Sequence, residues 1–356
     1  MTSKDKEQER ALAESVKFKK VIIPILIGVG VVAYLIWRTF DIDAFRTLSW
    51  NAKTVFFFGL AVLSYVIRHI AFSFRLKEVS DDAFSFKKSV ELIFIWEFAT
   101  TVSPTSFGGS AVAIFLLAQE KIGGAKSVAM VLYAVLLDTV FFVISIPILY
   151  LLLGKLVVRP LIDSDINGFV WTLWVVYAFT IFYGTFILIG VLRPRFISRF
   201  IDWLSRRNWL QRFKESMLNT AEELKVTSKE LRTQSIGFHL RVTLYTFIAW
   251  IMRFMAVVFV ILGVVQGLDK DVIDLAILFG RTEMMHVITQ FSPTPGGAGV
   301  AEGMFGGFYA DYIPKGVSTV IALIWRLITY YPYLIIGLLI IPNWLRKVVK
   351  RRRNER

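Results

Sequence analysis

The chain of 356 residues has no cysteine, three histidines and few charges, with Asp, Glu, Lys and Arg making up 19% of it. The missing thiols exclude disulfide scaffolds and Cys-ligated zinc or iron–sulfur centres. His69, His239 and His286 are scattered without metal-ligand spacing and read as structural side chains. No Gly-x-x-x-x-Gly-Lys-Ser/Thr run occurs, which argues against ATP hydrolysis, and nothing calls for a cofactor. Soluble domains carry about 25% charged and 45–50% apolar residues. Here 56% of residues are hydrophobic, 15% are aromatic, and the mean hydropathy is +0.60. A length that would suggest two or three soluble domains therefore reads as an all-α, multi-pass membrane protein.

What is present is long apolar runs. A helix needs roughly 20 apolar residues to cross the hydrocarbon, and six stretches qualify as spans: 21–37, 54–76, 126–153, 169–192, 240–267 and 317–341. Trp37 and Arg38 stand where a signal-peptide cleavage site would need small residues, so the first span is expected to remain. Two further stretches, 89–118 and 272–308, are interrupted by Pro and Gly. Each is expected to form two short helices joined by irregular backbone, a re-entrant hairpin that enters and leaves on one side. With the N-terminus cytoplasmic, most of the 41 Lys and Arg fall inside. The outer loops keep only Arg38, Arg46, Lys53, Lys155, Arg159, Lys270 and Lys315. This satisfies the positive-inside rule and puts both termini in the cytoplasm of an inner- or plasma-membrane protein.

The two broken stretches resemble each other. Ser103, Pro104, Thr105, Gly108 and Gly109 parallel Ser292, Pro293, Thr294, Gly296 and Gly297, with one residue deleted in the second copy and Pro295 and Gly299 as its further loop residues. Upstream, SYVIRHIAF parallels AWIMRFMAV, which sets Arg68 against Arg253; downstream, VLYAVLLDTVFF parallels VIALIWRLITYY, which brings Asp138 level with Arg326. Span, broken hairpin and span thus recur in opposite orientation. Many secondary transporters are built as such inverted repeats, with broken helices meeting near the midplane. The expected organisation is a basic cytoplasmic segment 1–20, a membrane half 21–192, a cytoplasmic interfacial segment 193–238, a second half 239–342 and a basic tail 343–356.

The run SPTPGGAGVAE, carried by Pro293, Pro295, Gly296, Gly297, Gly299, Val300 and Glu302 and followed by LIWRLITYYP with Arg326, resembles the lysylphosphatidylglycerol synthase transmembrane family. That family is the flippase-like membrane domain of bacterial multiple-peptide-resistance factors, and the likeness covers about residues 20–345. It implies a lipid-translocating fold. The first loop departs from the family pattern, with Ser110 and Ala113 where the family often carries Glu and Arg. The aminoacyl-transferring domain of the fused relatives is not in this sequence, so synthesis of lysyl-lipid is not expected.

Intramembrane charge is the main functional signal, because each Arg or Asp at a helix centre costs about 2.5–3.5 kcal/mol unless it meets a partner or a wet cavity. Arg68, Arg253, Arg281 and Arg326 are the candidates for holding a lipid phosphate. Glu97, Asp138, Glu283 and Glu302 are the candidates for charge balance or proton relay, and the Ser-Pro-Thr and Gly-Gly loops for shaping a midplane site. The competing reading is mutual pairing, for instance Asp138 with Arg326. In the segment 193–218, aromatic and aliphatic residues recur at helical spacing between Arg and Lys, which predicts an amphipathic helix on the anionic cytoplasmic leaflet. Every basic block adjoins a span, so nucleic acid is not an expected partner. Two alternatives stay open: a membrane transferase using a polyprenyl-linked donor, through Asp41/Asp43, Asp163/Asp165 or Asp269/Asp271, and a non-catalytic partner of a lipid-modifying enzyme. Homo-oligomerisation is likewise open.

Overall fold

The structure is a computed structural model that describes residues 37, 46, 50–103, 106–120, 122, 124–158, 166–192, 229, 231, 233–265, 271–290, 292, 294–313 and 317–354. Among them there is helix and turn but no strand. The helices are α1 (Ala52–Val79), α2 (Phe86–Val102), α3 (Ser106–Ala118), α4 (Gly124–Leu153), α5 (Ile166–Leu192), α6 (Ile236–Val264), α7 (Val272–Thr289), α8 (Val300–Phe308), α9 (Ser318–Thr329) and α10 (Tyr331–Asn354). Short 3-10 turns, Gly154–Val157 and Pro295–Gly297, follow α4 and precede α8.

Local chemistry explains the starts and stops. The side chain of Asn51 accepts the backbone N–H of Thr54, Ser85 accepts that of Lys88, and Ser235 accepts that of Phe238; each supplies an oxygen to a free first-turn donor. Helix α2 stops at Val102, just before Ser103-Pro104, since Pro disfavours helical backbone in the residue ahead of it. In the second copy the chain passes through Gly296, Gly297 and Gly299 at φ +57°, +69° and +82°, a region open to glycine and costly for other residues. The expected span 317–341 falls in the apolar stretch Ser318–Val348 but is kinked into two helices. It is interrupted at Tyr330, where Pro332 has no N–H to return to the preceding turn.

Among the described residues four helical stretches, Ala52–Val79, Lys126–Val157, Ile236–Val264 and Ser318–Val348, are long and apolar enough to cross a membrane. Helix α5 covers the expected span 169–192 and runs antiparallel along α4, with Tyr177 donating to the Val143 carbonyl and Trp174 edge-on to Tyr150. Apart from Trp37, the expected span 21–37 lies outside the described residues, as does the segment 193–218. The exposed side of α1 is apolar, with Val55, Phe56, Val62, Leu63 and Val66 facing outward, as a surface in contact with lipid tails requires.

The centre of the bundle is the antiparallel pair α1 and α6. At one end Thr54 Oγ1 donates to the Gly263 carbonyl (2.8 Å); at the other Arg241 forks onto Glu78 (2.9 and 3.0 Å). Helices α2 and α3 start from the Glu78 end. They return to it, because Lys88 near the start of α2 pairs with Glu120 just beyond α3 (2.8 Å). Helices α7 and α8 start from the Gly263 end and also return to it, where Tyr312 donates to Asp274 (2.7 Å). Two hairpins therefore open toward opposite ends of one helix pair, and their tips touch. The Gly296 N–H donates to the Ser103 carbonyl (3.4 Å), and Tyr330 donates to the Thr101 carbonyl (3.3 Å).

Candidate functional site

Arg68 and Arg253 lie level with each other across the α1–α6 pair, and their surroundings differ sharply. Arg68 is 2% exposed; its Nη2 binds Glu97 of α2 (2.8 Å) and its Nη1 binds the hydroxyl of Tyr333 on α10 (2.8 Å). Three elements are tied through that one guanidinium. Two turns further along the same face of α1, Arg75 binds Asp138 of α4 (2.5 Å) and Thr246 of α6 (3.2 Å). Asp138 also accepts the indole N–H of Trp250 (2.9 Å). Asp138 does not pair with Arg326, the instance of mutual pairing weighed against substrate binding: Asp138 belongs to Arg75, and Arg326 to Glu302 (2.9 Å). Glu302 turns its other oxygen to the Gly299 N–H (2.7 Å), closing the first turn of α8.

Arg326 also donates to the carbonyls of Gly296 (3.0 Å) and Gly297 (3.4 Å), so its planar fork holds the loop in shape. Arg281 lies elsewhere. It is fully buried and committed to Asp311 (2.5 and 2.9 Å) and to the carbonyls of Leu156 (2.7 Å) and Phe308 (3.1 Å). That set uses its donors on protein groups, and it lines neither cavity described next. Arg253 is the contrast. Among the described residues no carboxylate pairs with it, and its guanidinium lies 5.4 Å from the Trp250 ring.

Two cavities meet at Arg253. One, of about 100 Å³, is lined by the loop residues Ser103, Thr294, Gly296 and Gly297 and by Arg326 and Tyr330. The other, of about 190 Å³, has aromatic walls in Phe72, Trp96, Phe142, Phe179 and Tyr183, with Arg68, Arg75 and Asp138 as its polar lining. Glu97, Thr100, Arg253, His286 and Gln290 line both. In the second cavity three guanidinium groups face two carboxylates, so one positive charge is unmatched. It is carried by a side chain reachable from either side. The arrangement can hold a singly charged anionic group at Arg253 while apolar walls take the rest of the molecule.

Ser292 sits beside the first cavity and bonds Thr294 (2.7 Å). Gly109 packs so tightly against Thr100 that a Cβ there would lie 2.0 Å from its hydroxyl. Glu283 is fully buried against Ser145, off both cavities. Pro104, Thr105 and Pro293, and the surroundings of Gly108 and Pro295, lie outside what is described, as do Asp41, Asp43, Asp163, Asp165 and Asp269. Asp271 stands at the N-terminus of α7, and no grouping of three His, Asp or Glu that could hold a metal occurs among the described residues. His69 and His239 have tyrosine partners, Tyr333 (3.3 Å) and Tyr133 (2.6 Å), whereas His286 faces the cavities with Nε2 unbonded. Reading the sequence also missed Arg75, Trp250, Tyr333 and Gln290. The seven-residue spacing of Arg68 and Arg75 carried the signal for the first, since two turns of helix return to the same face.

A sequence model of the lysylphosphatidylglycerol synthase TM region matches residues 21–337. The chain belongs to that family. It is also similar to a UPF0104 membrane protein of Archaeoglobus fulgidus, 24% identical over 334 residues that cover 89% of this chain and 94% of the relative. Membership makes this a membrane-embedded, multi-pass protein of lipid modification or transport. The Pro-Gly loop that carries the family resemblance is the loop clamped by Arg326 beside the first cavity.

Proposed function

We propose that the protein moves the head group of an anionic or modified phospholipid, or of a polyprenyl lipid, between leaflets through the two cavities. The observation that carries this is Arg253, a guanidinium with no carboxylate partner among the described residues, shared by cavities that belong mainly to opposite halves of an antiparallel arrangement. A lipid phosphodiester supplies the one negative charge this site lacks, and the aromatic walls suit the apolar remainder. Arg68 and Arg326 shape the site while remaining tied to Glu97 and Glu302, and Gln290 adds a neutral donor. In this reading six spans surround the two hairpins, the hairpins are re-entrant, both termini are cytoplasmic, and 193–218 rests on the anionic inner leaflet.

The test is transfer of fluorescent phospholipids across proteoliposome membranes. The wild-type chain is expected to speed transfer of phosphatidylglycerol more than of a zwitterionic lipid, and Arg253→Gln to cut that rate at least tenfold with the fold intact. Transfer no faster than in protein-free vesicles, over a broad head-group panel, would overturn the reading.

A further inference from the structure

Glu283 is the one buried carboxyl of the bundle for which the described residues provide no cation. It is 0% exposed in the middle of α7, and no Lys, Arg or His nitrogen among the described residues pairs with it. Its hydrogen bond is to Ser145 of α4 through Oε1, and Oε2 has no partner. Ser145 Oγ also lies 2.8 Å from the Phe141 carbonyl, the backbone acceptor one turn earlier. A serine hydroxyl has one proton to give. The Phe141 carbonyl and Glu283 Oε1 compete for that one proton, and whichever takes it, Oε2 is left without a donor. An ionised Glu283 would be a buried charge with no cation among the described residues and at most one shared hydroxyl proton, which is far more costly than a buried neutral acid.

We propose that Glu283 is a proton-binding site, protonated when α7 is packed on α4 and exchanging with the cavities through His286. His286 lies one turn further along α7 and lines both cavities with Nε2 unbonded. The transfer balances simply. Glu283 Oε2 and His286 Nε2 make no bond to each other while α7 is packed on α4, so the transfer belongs to the loosened packing: there the carboxyl O–H bond breaks, an N–H bond forms on neutral imidazole, and the imidazolium passes its proton to cavity water. The groups that face His286 are Arg253 of α6, Arg68 of α1 and Arg326 of α9, with Glu97 of α2 on the same lining. His286, which lines the cavities, relays the proton, and Glu283, which does not, stores it. Helix α7 also brings Thr289 and Gln290 to the cavity lining, so loading Glu283 sets the packing of the element that shapes the lipid path. This last link rests on the proposed lipid movement.

Two measurements test the site separately from transport. Infrared spectra of the purified wild-type protein at neutral pH should contain a carboxylic-acid carbonyl band that is lost in Glu283→Gln and shifted in Ser145→Ala. In proteoliposomes, an imposed difference of one pH unit should change the wild-type lipid rate by several-fold, up to about tenfold for one coupled proton. The rate of Glu283→Gln, whose amide mimics the neutral acid, should ignore the gradient. Identical infrared spectra in folded wild type and Glu283→Gln would overturn the proposal, as would a lipid rate blind to the gradient in the wild type. A band that disappears in the variant, with no lipid movement by either protein, upholds the proton site and overturns the transport reading instead.

Discussion

Arginine alone does not identify a binding residue in this bundle; its partners do. Arg281 and Arg253 are both single guanidinium groups in apolar helices, yet one is saturated by Asp311 and two carbonyls while the other has no carboxylate partner among the described residues. Removing the charge at Arg281 leaves the Asp311 carboxylate and two carbonyls without donors. Breaking a buried pair in this way costs about 3–5 kcal/mol, discounted here because Asp311 is one-third exposed. Arg281→Gln is therefore expected to lower stability by about 3 kcal/mol in a detergent melting series, with any residual lipid transfer keeping its head-group preference. Arg253→Gln should do the reverse, with melting unchanged and transfer lost. Neither outcome could be read from the sequence. Asp311 follows Arg281 by a whole hairpin, and the emptiness around Arg253 exists only once α1, α2 and α6 have assembled.

At the scale of elements, the contact between the hairpin tips depends on one glycine. A Cβ at Gly296 would lie 2.2 Å from the Tyr330 ring and 3.1 Å from the Thr101 carbonyl, and its φ of +57° disfavours any side chain. Left-handed backbone costs an L-residue about 1–2 kcal/mol and overpacking about 1–3 more. Gly296→Ala should thus lose about 2–4 kcal/mol and part the loop from Thr101, whereas Gly303→Ala, with open space around it, should be neutral by the same melting assay. The loops were legible where Pro104, Gly296, Gly297 and Gly299 act on local backbone and the helices break, but Gly108 and Gly109 lie inside α3. Their contact was not legible, since Ser103 and Gly296 are neighbours only after two hairpins fold from opposite ends. Arg75 shows the same limit. Its nearness to Lys77 in a charged stretch reads as a cytoplasmic helix end, while its side chain is buried on Asp138.

A second element-level contact sits where α10 meets the open end of the first hairpin. Glu120 is held by Lys88, Trp344 and Arg351. Burial raises its carboxyl, but the hydrogen bonds from Lys88 and Trp344 and the charges of Lys88 and Arg351 outweigh this and hold it below the ordinary carboxylate range. A depressed carboxyl contributes stability that is whole at neutral pH and fades as the pH falls through and below that range. Fluorescence of Trp344 should accordingly shift on acidification in the wild type. In Glu120→Gln the shift should already be present at neutral pH, and a pH-independent wild type would refute the coupling.

For the whole molecule, the composition alone is enough to place the chain in a membrane, but its two-fold character needs both sequence and structure. The repeat equates the start of α2 with the start of α7, and the fold puts these starts at opposite ends of the α1–α6 pair. The first start carries Lys87 and Lys88, and the second carries Asp271 and Asp274. That asymmetry is the one expected of an inverted repeat whose basic end faces the cytoplasm. Lys87 and Asp271 are both exposed, and the chain has no native cysteine, so single replacements report cleanly. Lys87→Cys should react with a membrane-impermeant thiol reagent only after cells are permeabilised, and Asp271→Cys in intact cells. Both reacting from one side would mean that the α1–α6 pair does not cross the bilayer. The cavities at Arg253 would then open onto a single leaflet, which is geometry for modifying or binding a lipid rather than for carrying it across.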